Sequence, residues 1–147
     1  MSYWADKLPD AQRFQLVLDS AAVLDKESGL VWERSPKSPE MLWNEAIIYS
    51  YKKELGGRMG WRLPTVEEFL SLVDTQNSAG LPVGHPFTNI LGPYWSATTV
   101  ANAASMGYAI TSFAPPVHLD SDSKLGTKKH VWCVRGGQGL VYYAFCQ

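Results

Sequence analysis

The sequence lacks the features of a disulfide-rich, metal-binding or membrane-spanning protein. Its two cysteines, Cys133 and Cys146, are too few for a disulfide framework, and no CxxC pair suggests zinc or redox chemistry. No apolar run approaches the roughly 18 residues that a membrane helix needs. Residues 1–10 lack the basic and apolar regions of a signal peptide. We therefore expect either a cytosolic protein or a sequence that begins after a removed signal.

Charge of one sign is also scarce. The formal net charge is −1, so no overall basic field is available to attract nucleic acid or anionic lipid. We expect neither nucleic-acid binding nor membrane insertion. Hydrophobic residues are plentiful at 46%, with six Trp and seven Tyr. A chain of this length buries about 68–70% of its unfolded surface, so we expect one domain with its own core over residues 1–147.

The apolar pattern of the first half predicts short strands and two helices. Apolar and β-branched residues predict strands over residues 14–18, 22–24 and 30–32. An apolar residue at every fourth position from Trp43 to Leu55 predicts a helix over residues 40–55, begun by Ser38-Pro39 and ended by two glycines.

The stretch GGRMGWRLPTVEEFLSLVD predicts a second helix. Thr65 and Glu68 have the spacing of a capping box. Four residues would then form the apolar face of the helix: Val66, Phe69, Leu70 and Val73. Helix initiation accounts for this motif, and nothing in it requires catalysis.

The second half predicts a long loop followed by an antiparallel sheet. Residues 75–93 are rich in Gly, Pro and Asn and have no period, as in many functional loops. Strand-like segments follow at residues 94–99, 106–113, 117–120, 129–136 and 140–145. Helices and strands are thus segregated along the chain, which predicts an α+β fold.

Six motifs in this order resemble the Lcl C-terminal domain family, named after a collagen-like adhesin: AAVLDKESGLVWERSP, WNEAIIY, LGGRMGWRLPTVEEFLSLVD, LPVGHPF, YWSATT and VWCVRGG. The resemblance covers about residues 14–138 and implies a C-type-lectin-like fold, with two helices packed on small antiparallel sheets and long loops. It further implies a non-enzymatic, secreted or cell-surface domain that binds glycans, including sulfated or acidic ones, and leaves room for a homo-oligomer. WRLPT before a helix also resembles the formylglycine-generating branch of that superfold. An enzyme of that type and a structural module of a surface assembly therefore remain alternatives.

One position departs from the family pattern. Related sequences carry a Cys about where Ser50 stands, which bridges the Cys of VWCVRGG. Cys133 lacks that partner here, which weakens the argument for an oxidising compartment. Whether Cys133 bridges Cys146 is left open by the sequence.

Several residues of types that often act in catalysis or binding have a structural interpretation here. Glu67 and Glu68 point about 100° apart on a helix and do not share a site. We expect Arg62 and Arg135 to be partly buried and paired. Cys133 lies in a core strand, where a buried, inert thiol is expected.

The remaining polar residues predict no metal site. His85, His118 and His130 have no metal-ligand spacing. Asp120 and Asp122 alternate with serines, which we interpret as a solvated turn in preference to a calcium loop. Nucleophile-elbow and P-loop motifs are absent from the sequence, and we expect neither a cofactor nor an enzymatic activity.

Five residues are the candidates for glycan binding. Lys124, Lys128, Lys129 and His130 lie within seven residues around a predicted turn. His85 lies in the long loop, where its Gly-His-Pro setting predicts exposure. Cations beside aromatic rings suit anionic sugars, and a site of this kind would lose affinity steeply with added salt.

Overall fold

The computed structural model describes residues 10–136, with side-chain environments from residue 12 onward. It contains two antiparallel sheets, two main helices and one four-residue helical turn, α1 (Asp10–Arg13). This confirms the α+β prediction. Within this range no helix is long and apolar enough to cross a membrane.

The first sheet joins the beginning and the end of the described chain. Its strands lie in the order β1 (Phe14–Val17), β2 (Ala22–Asp25), β3 (Leu30–Glu33) and β7 (Val134–Gly136). All pairs are antiparallel, and Trp32 of β3 lies opposite Val134 of β7. The strands predicted in the N-terminal third are confirmed to within one or two residues. The predicted strand over residues 140–145 lies outside the described residues.

The second sheet consists of β4 (Tyr94–Val100), β5 (Ala103–Ser112) and β6 (His118–Ser123). The interpretation of Asp120 and Asp122 as part of a turn was wrong, because both lie within β6. Asp122 is in register with Gly107, and the pairing extends as far as Ser123. Ladder hydrogen bonds therefore hold a polar segment that has little strand propensity of its own.

Helix α2 (Trp43–Lys52) begins three residues later than predicted. The predicted cap, Ser38, is occupied elsewhere, because its Oγ accepts a hydrogen bond from Val131 N at 2.8 Å. Met41 exchanges backbone hydrogen bonds with Lys129 at 2.8 and 3.0 Å, which keeps the approach to the helix extended. Glu45 caps the new start by accepting from Leu42 N at 2.8 Å. Backbone pairing with residues distant in sequence thus explains why α2 begins later than predicted.

Helix α3 (Val66–Ser71) has the predicted capping box. Thr65 Oγ1 accepts from Glu68 N at 3.1 Å, and Glu68 Oε1 accepts from Thr65 N at 2.9 Å. Val66 and Phe69 are buried as expected. Leu70 is 39% exposed, however, and Leu72, just past the helix, is fully buried in its place.

Aromatic rings fill the space between the sheets. Trp132 packs edge-on against Trp32, with ring centroids 5.1 Å apart, and Phe87 lies at the same distance from it. Trp61 and Trp95 are buried in a second cluster, whereas Trp43 is only half-buried. Four tryptophans of the described range are therefore fully buried: Trp32, Trp61, Trp95 and Trp132. Phe87 belongs to the long loop, so this loop is anchored in the core.

Candidate functional site

Lys124 is held against an aromatic ring at the end of β6. Its ammonium group lies 4.0 Å from the centre of the Trp43 ring and donates a hydrogen bond to Thr99 Oγ1 at 2.8 Å. Trp43 in turn donates through Nε1 to Ser96 O at 2.9 Å. These contacts position Lys124 for a cation–π interaction within the protein.

Lys129 is more buried than Lys124 and has a charged partner within the protein. Its side chain is 5% exposed and forms an ion pair with Asp122 at 2.7 Å. The ammonium group also lies 5.3 Å from the centre of the Trp95 ring. Lys129 therefore already has a carboxylate partner and little contact with solvent.

The other two members of the basic run differ from each other. Lys128 is exposed. His130 is half-buried; its Nδ1 lies 2.9 Å from Ser38 O, and its ring meets Tyr94 edge-on at 6.4 Å. Two of the four predicted glycan-binding cations thus have cation–π partners inside the protein, and they do not form one open basic patch with Lys128.

The prediction of a partly buried, paired arginine is confirmed for Arg62, whereas Arg135 is partly buried beside an aromatic ring. Arg62 donates to both carboxylate oxygens of Glu68 at 2.7 Å and to Gly136 O at 2.9 Å. The guanidinium of Arg135 lies 5.9 Å from the centre of the Trp61 ring. The WRLPT motif thus ties α3 to β7, and Glu68 is fully engaged by its cap and its arginine.

Cys133 has the environment of an inert thiol. Within residues 10–136 it has no disulfide partner. It is fully buried, and burial raises its pKa far above the ordinary value, with the charge of Glu33 adding to the effect. Its backbone N–H donates to Glu33 Oε1 at 2.7 Å, and Glu33 also pairs with Lys53 at 3.0 Å. Such a thiol stays protonated and out of reach of substrate. Cys146 lies outside the described residues.

The histidines are dispersed. His118 is largely exposed on β6 and lies 3.1 Å from Asp120. His85 and His130 lie in the loop and beside Tyr94 respectively. Across residues 10–136, no three His, Cys, Asp or Glu side chains come together in a way that could hold a metal ion.

His85 instead lines a cleft between the long loop and the end of β5. The cleft encloses about 440 Å³ and is open to solvent. Its walls come from two segments far apart in sequence and include His85, Asn89, Leu91, Thr111, Ser112 and Phe113. Among the described residues, this lining contains no Asp, Glu, Lys or Arg. The cleft therefore combines apolar surface with uncharged hydrogen-bonding groups.

Gly80 holds the loop against the sheet. Its φ of +92° suits glycine, and a Cβ there would lie 2.0 Å from Phe113 O. Asp74 N donates to Gly80 O at 2.7 Å, which fixes the beginning of the loop. On the far side, Thr88 N donates to Arg34 O at 2.9 Å. The cleft wall is therefore anchored on both sides.

The polar groups of the cleft are oriented by internal hydrogen bonds. Thr111 Oγ1 donates to His118 O at 3.1 Å, so its oxygen lone pairs can still accept from a ligand. Asn89 donates to Ser35 Oγ, which fixes its side-chain amide. His85 Nδ1 accepts from Phe87 N at 3.1 Å, which leaves the proton of the neutral ring on Nε2.

Sequence reasoning identified His85 and missed the rest of the cleft. The prediction that His85 is exposed was too strong, since the ring is half-buried and burial lowers its pKa. Thr111 and Ser112 were assigned to a strand with no site attached. No local signal marks them, because their role arises only when the loop folds over the end of β5.

The family model for the Lcl C-terminal domain matches residues 21–135. The chain belongs to the Lcl C-terminal domain family. This match covers most of the chain, including both walls of the cleft and the whole basic run. Membership suggests a surface-associated domain. No curated protein and no solved structure gives a significant match, so the C-type-lectin-like arrangement stays a prediction.

Proposed function

We propose that this Lcl C-terminal domain is a non-enzymatic glycan-binding domain that works at the cell surface or in the extracellular space. The cleft between the long loop and the end of β5 is its binding site. The observation that carries this proposal is the chemistry of the lining, in which apolar surface alternates with uncharged donors and acceptors. Ligand sites are commonly concave and apolar, with a few fixed polar groups.

The lining matches the two faces of a sugar ring. Sugar hydroxyls need both acceptors and donors. The Thr111 hydroxyl, whose own proton goes to His118 O, can accept, and the Asn89 amide keeps an oxygen acceptor and one N–H beside its bond to Ser35. The apolar C–H faces of a sugar need apolar or aromatic surface, which Phe113 and Leu91 provide. Leu91 is 70% exposed at the rim, so a bound ligand would remove part of its apolar surface from water.

The charge of the lining favours uncharged glycans over sulfated or acidic ones. No lysine or arginine lines the described cleft, and His85 is held neutral by a lowered pKa whose cause is burial. An anionic group in the cleft would lose hydration without gaining an ion pair. The expectation of an anionic ligand at the basic run relied on four residues: Lys124, Lys128, Lys129 and His130. Of these, Lys124 and Lys129 have internal contacts that compete with such a role.

A glycan array, probed with and without calcium, is the test. Multivalent display of the protein would reveal weak sites through avidity. We expect neutral glycans to bind, with an affinity that changes little when added salt shortens the Debye length from about 10 Å to about 3 Å. A steep salt dependence, with loss of binding in Lys128→Glu, would place the site on the basic run instead.

Leu91→Ala and Leu125→Ala form a matched pair of variants. The two leucines are 70% and 71% exposed, but only Leu91 lines the cleft. Partial covering of Leu91 by ligand predicts about fivefold weaker binding for Leu91→Ala, or about 1 kcal/mol. Leu125→Ala should bind like the wild type. Equal binding by both variants would exclude the cleft as the site.

A further inference from the structure

His85 has an unusual place in the cleft, because its ring is both a wall of the site and part of the backbone hydrogen-bond network. Its ring Nδ1 accepts a hydrogen bond from Phe87 N at 3.1 Å, and the backbone N–H of His85 donates to Pro82 O at 3.1 Å. A protonated imidazole has two N–H donors and no acceptor. The present geometry is therefore available only to neutral His85.

Phe87 connects this hydrogen bond to the core. Its ring is 5% exposed and meets Trp132 edge-on at 5.1 Å and Phe14 at 5.4 Å. The His85 ring lies 5.7 Å from the Phe87 ring. A change in the bond to the Phe87 amide therefore acts on a segment that fixes one wall of the cleft.

The charged and titratable groups on neighbouring elements do not offer protonated His85 a partner. Arg34, after β3, donates through Nε to Pro86 O at 3.2 Å and carries the same charge. Asp120 on β6 is already engaged by His118. The Tyr94 hydroxyl accepts from Leu91 N at 2.8 Å. Within the described lining of the cleft there is no carboxylate.

We propose that His85 is a pH-sensitive element of the binding site: the domain holds its ligand at neutral pH and releases it on acidification, because protonation breaks the Phe87 N–H to Nδ1 hydrogen bond and loosens the cleft wall. This inference rests on the proposed function, whose site it regulates. It assigns His85 to the positioning of the wall in addition to direct contact with ligand.

The direction of the pH effect follows from burial. Burial lowers the pKa of His85 below its ordinary value of 6.5. The folded protein therefore binds fewer protons at this site than the unfolded chain does. The stabilising contribution of neutral His85 is fully present above pH 6.5 and is lost as the pH falls through the lowered pKa.

His85→Asn keeps a hydrogen-bond acceptor for the Phe87 N–H but removes the titratable ring. An Asn side-chain oxygen accepts readily from the N–H two residues on, as the His85 ring does here, but it has no proton to gain in this range. For wild type we expect about fivefold weaker glycan binding near pH 5 than near pH 7, the size of one lost hydrogen bond. His85→Asn should bind equally at both pH values. His118→Asn, which changes an exposed histidine outside the cleft, should keep the wild-type response. A wild-type pH response in His85→Asn would overturn the proposal.

A measurement without ligand keeps the inference distinct from the proposed function. In a ¹H–¹⁵N NMR pH titration of the wild-type protein, we expect the Phe87 amide signal to shift with the same midpoint as the His85 ring, below 6.5. If this holds while no glycan binds at any pH, the glycan proposal fails and the switch stands as a property of the cleft. If the chemical shift of the Phe87 amide does not change as His85 titrates, the pH-sensitive role of His85 is refuted, whatever the array shows.

Discussion

Replacing Gly80 by alanine should open the cleft by lifting the long loop from the sheet. An alanine Cβ at this position would lie 2.0 Å from Phe113 O, 2.2 Å from Phe113 C and 2.6 Å from Ala114 N. All three atoms belong to the backbone, so no side-chain rotation can relieve the overlap. Gly80 also has a φ of +92°, which side chains rarely adopt.

The expected cost of Gly80→Ala has two parts. The left-handed backbone conformation costs a residue with a Cβ roughly 1–2 kcal/mol. Forcing an extra methyl group into a packed contact costs typically about 1–3 kcal/mol more. We therefore expect the free energy of unfolding to fall by about 2–5 kcal/mol.

Gly84→Ala is the matched control in the same loop. Its φ of +82° imposes the same conformational cost, but a Cβ there meets nothing within 4 Å. We expect Gly84→Ala to lower the free energy of unfolding by roughly 1–2 kcal/mol only. The difference between the two variants thus isolates the contact between the loop and Phe113.

Urea denaturation of both variants measures this difference directly. Binding on the glycan array should be lost for Gly80→Ala and retained for Gly84→Ala, provided that each is folded at the assay temperature. Equal stability and equal binding of the two variants would mean that the loop does not rest on the backbone at Phe113. The cleft as described would then be incorrect.

Three further variants test the cap of α3 and the contacts of the basic run. Thr65→Ala removes the N-cap of α3 and should cost about 0.5–2 kcal/mol in thermal or urea unfolding; an unchanged stability would argue against the capping box as a stabilising element. Lys128→Glu changes an exposed side chain and should shift stability by less than about 0.5 kcal/mol. Lys129→Glu breaks a largely buried ion pair and places two carboxylates together, so it should be clearly destabilising. Equal effects of the two lysine variants on stability would contradict the assignment of Lys129 to an internal partner.

Local patterns predicted the parts of the fold that local interactions build. The Thr65–Glu68 box needs only residues within one helical turn, and the strands of the first hairpins are neighbours in sequence. The start of α2 was misplaced because Met41 pairs with Lys129, which is distant in sequence. The strand character of Asp122 was missed because its polar segment has little strand propensity of its own, and pairing with β5 imposes the extended conformation.

The candidate site was harder to predict than the fold because it depends on contacts between distant segments. Lys124 and Lys129 lie in a segment whose composition is typical of a solvent-exposed hairpin. Only the fold brings the rings of Trp43 and Trp95 close to their ammonium groups. The cleft likewise exists only where the loop crosses the end of β5. The sequence offered His85 in a long loop as a local clue, whereas Thr111 on β5 carried none.

Mapping a bound glycan by NMR tests the central claim most directly. The strongest neutral ligand from the array would be titrated into ¹⁵N-labelled protein, and shifts of the backbone amide signals would be followed. We expect the largest shifts between residues 79 and 91 and between residues 111 and 114, with little change between residues 124 and 130. Shifts concentrated on residues 124–130, or no binding by any glycan tested, would contradict the cleft as the glycan site of this domain.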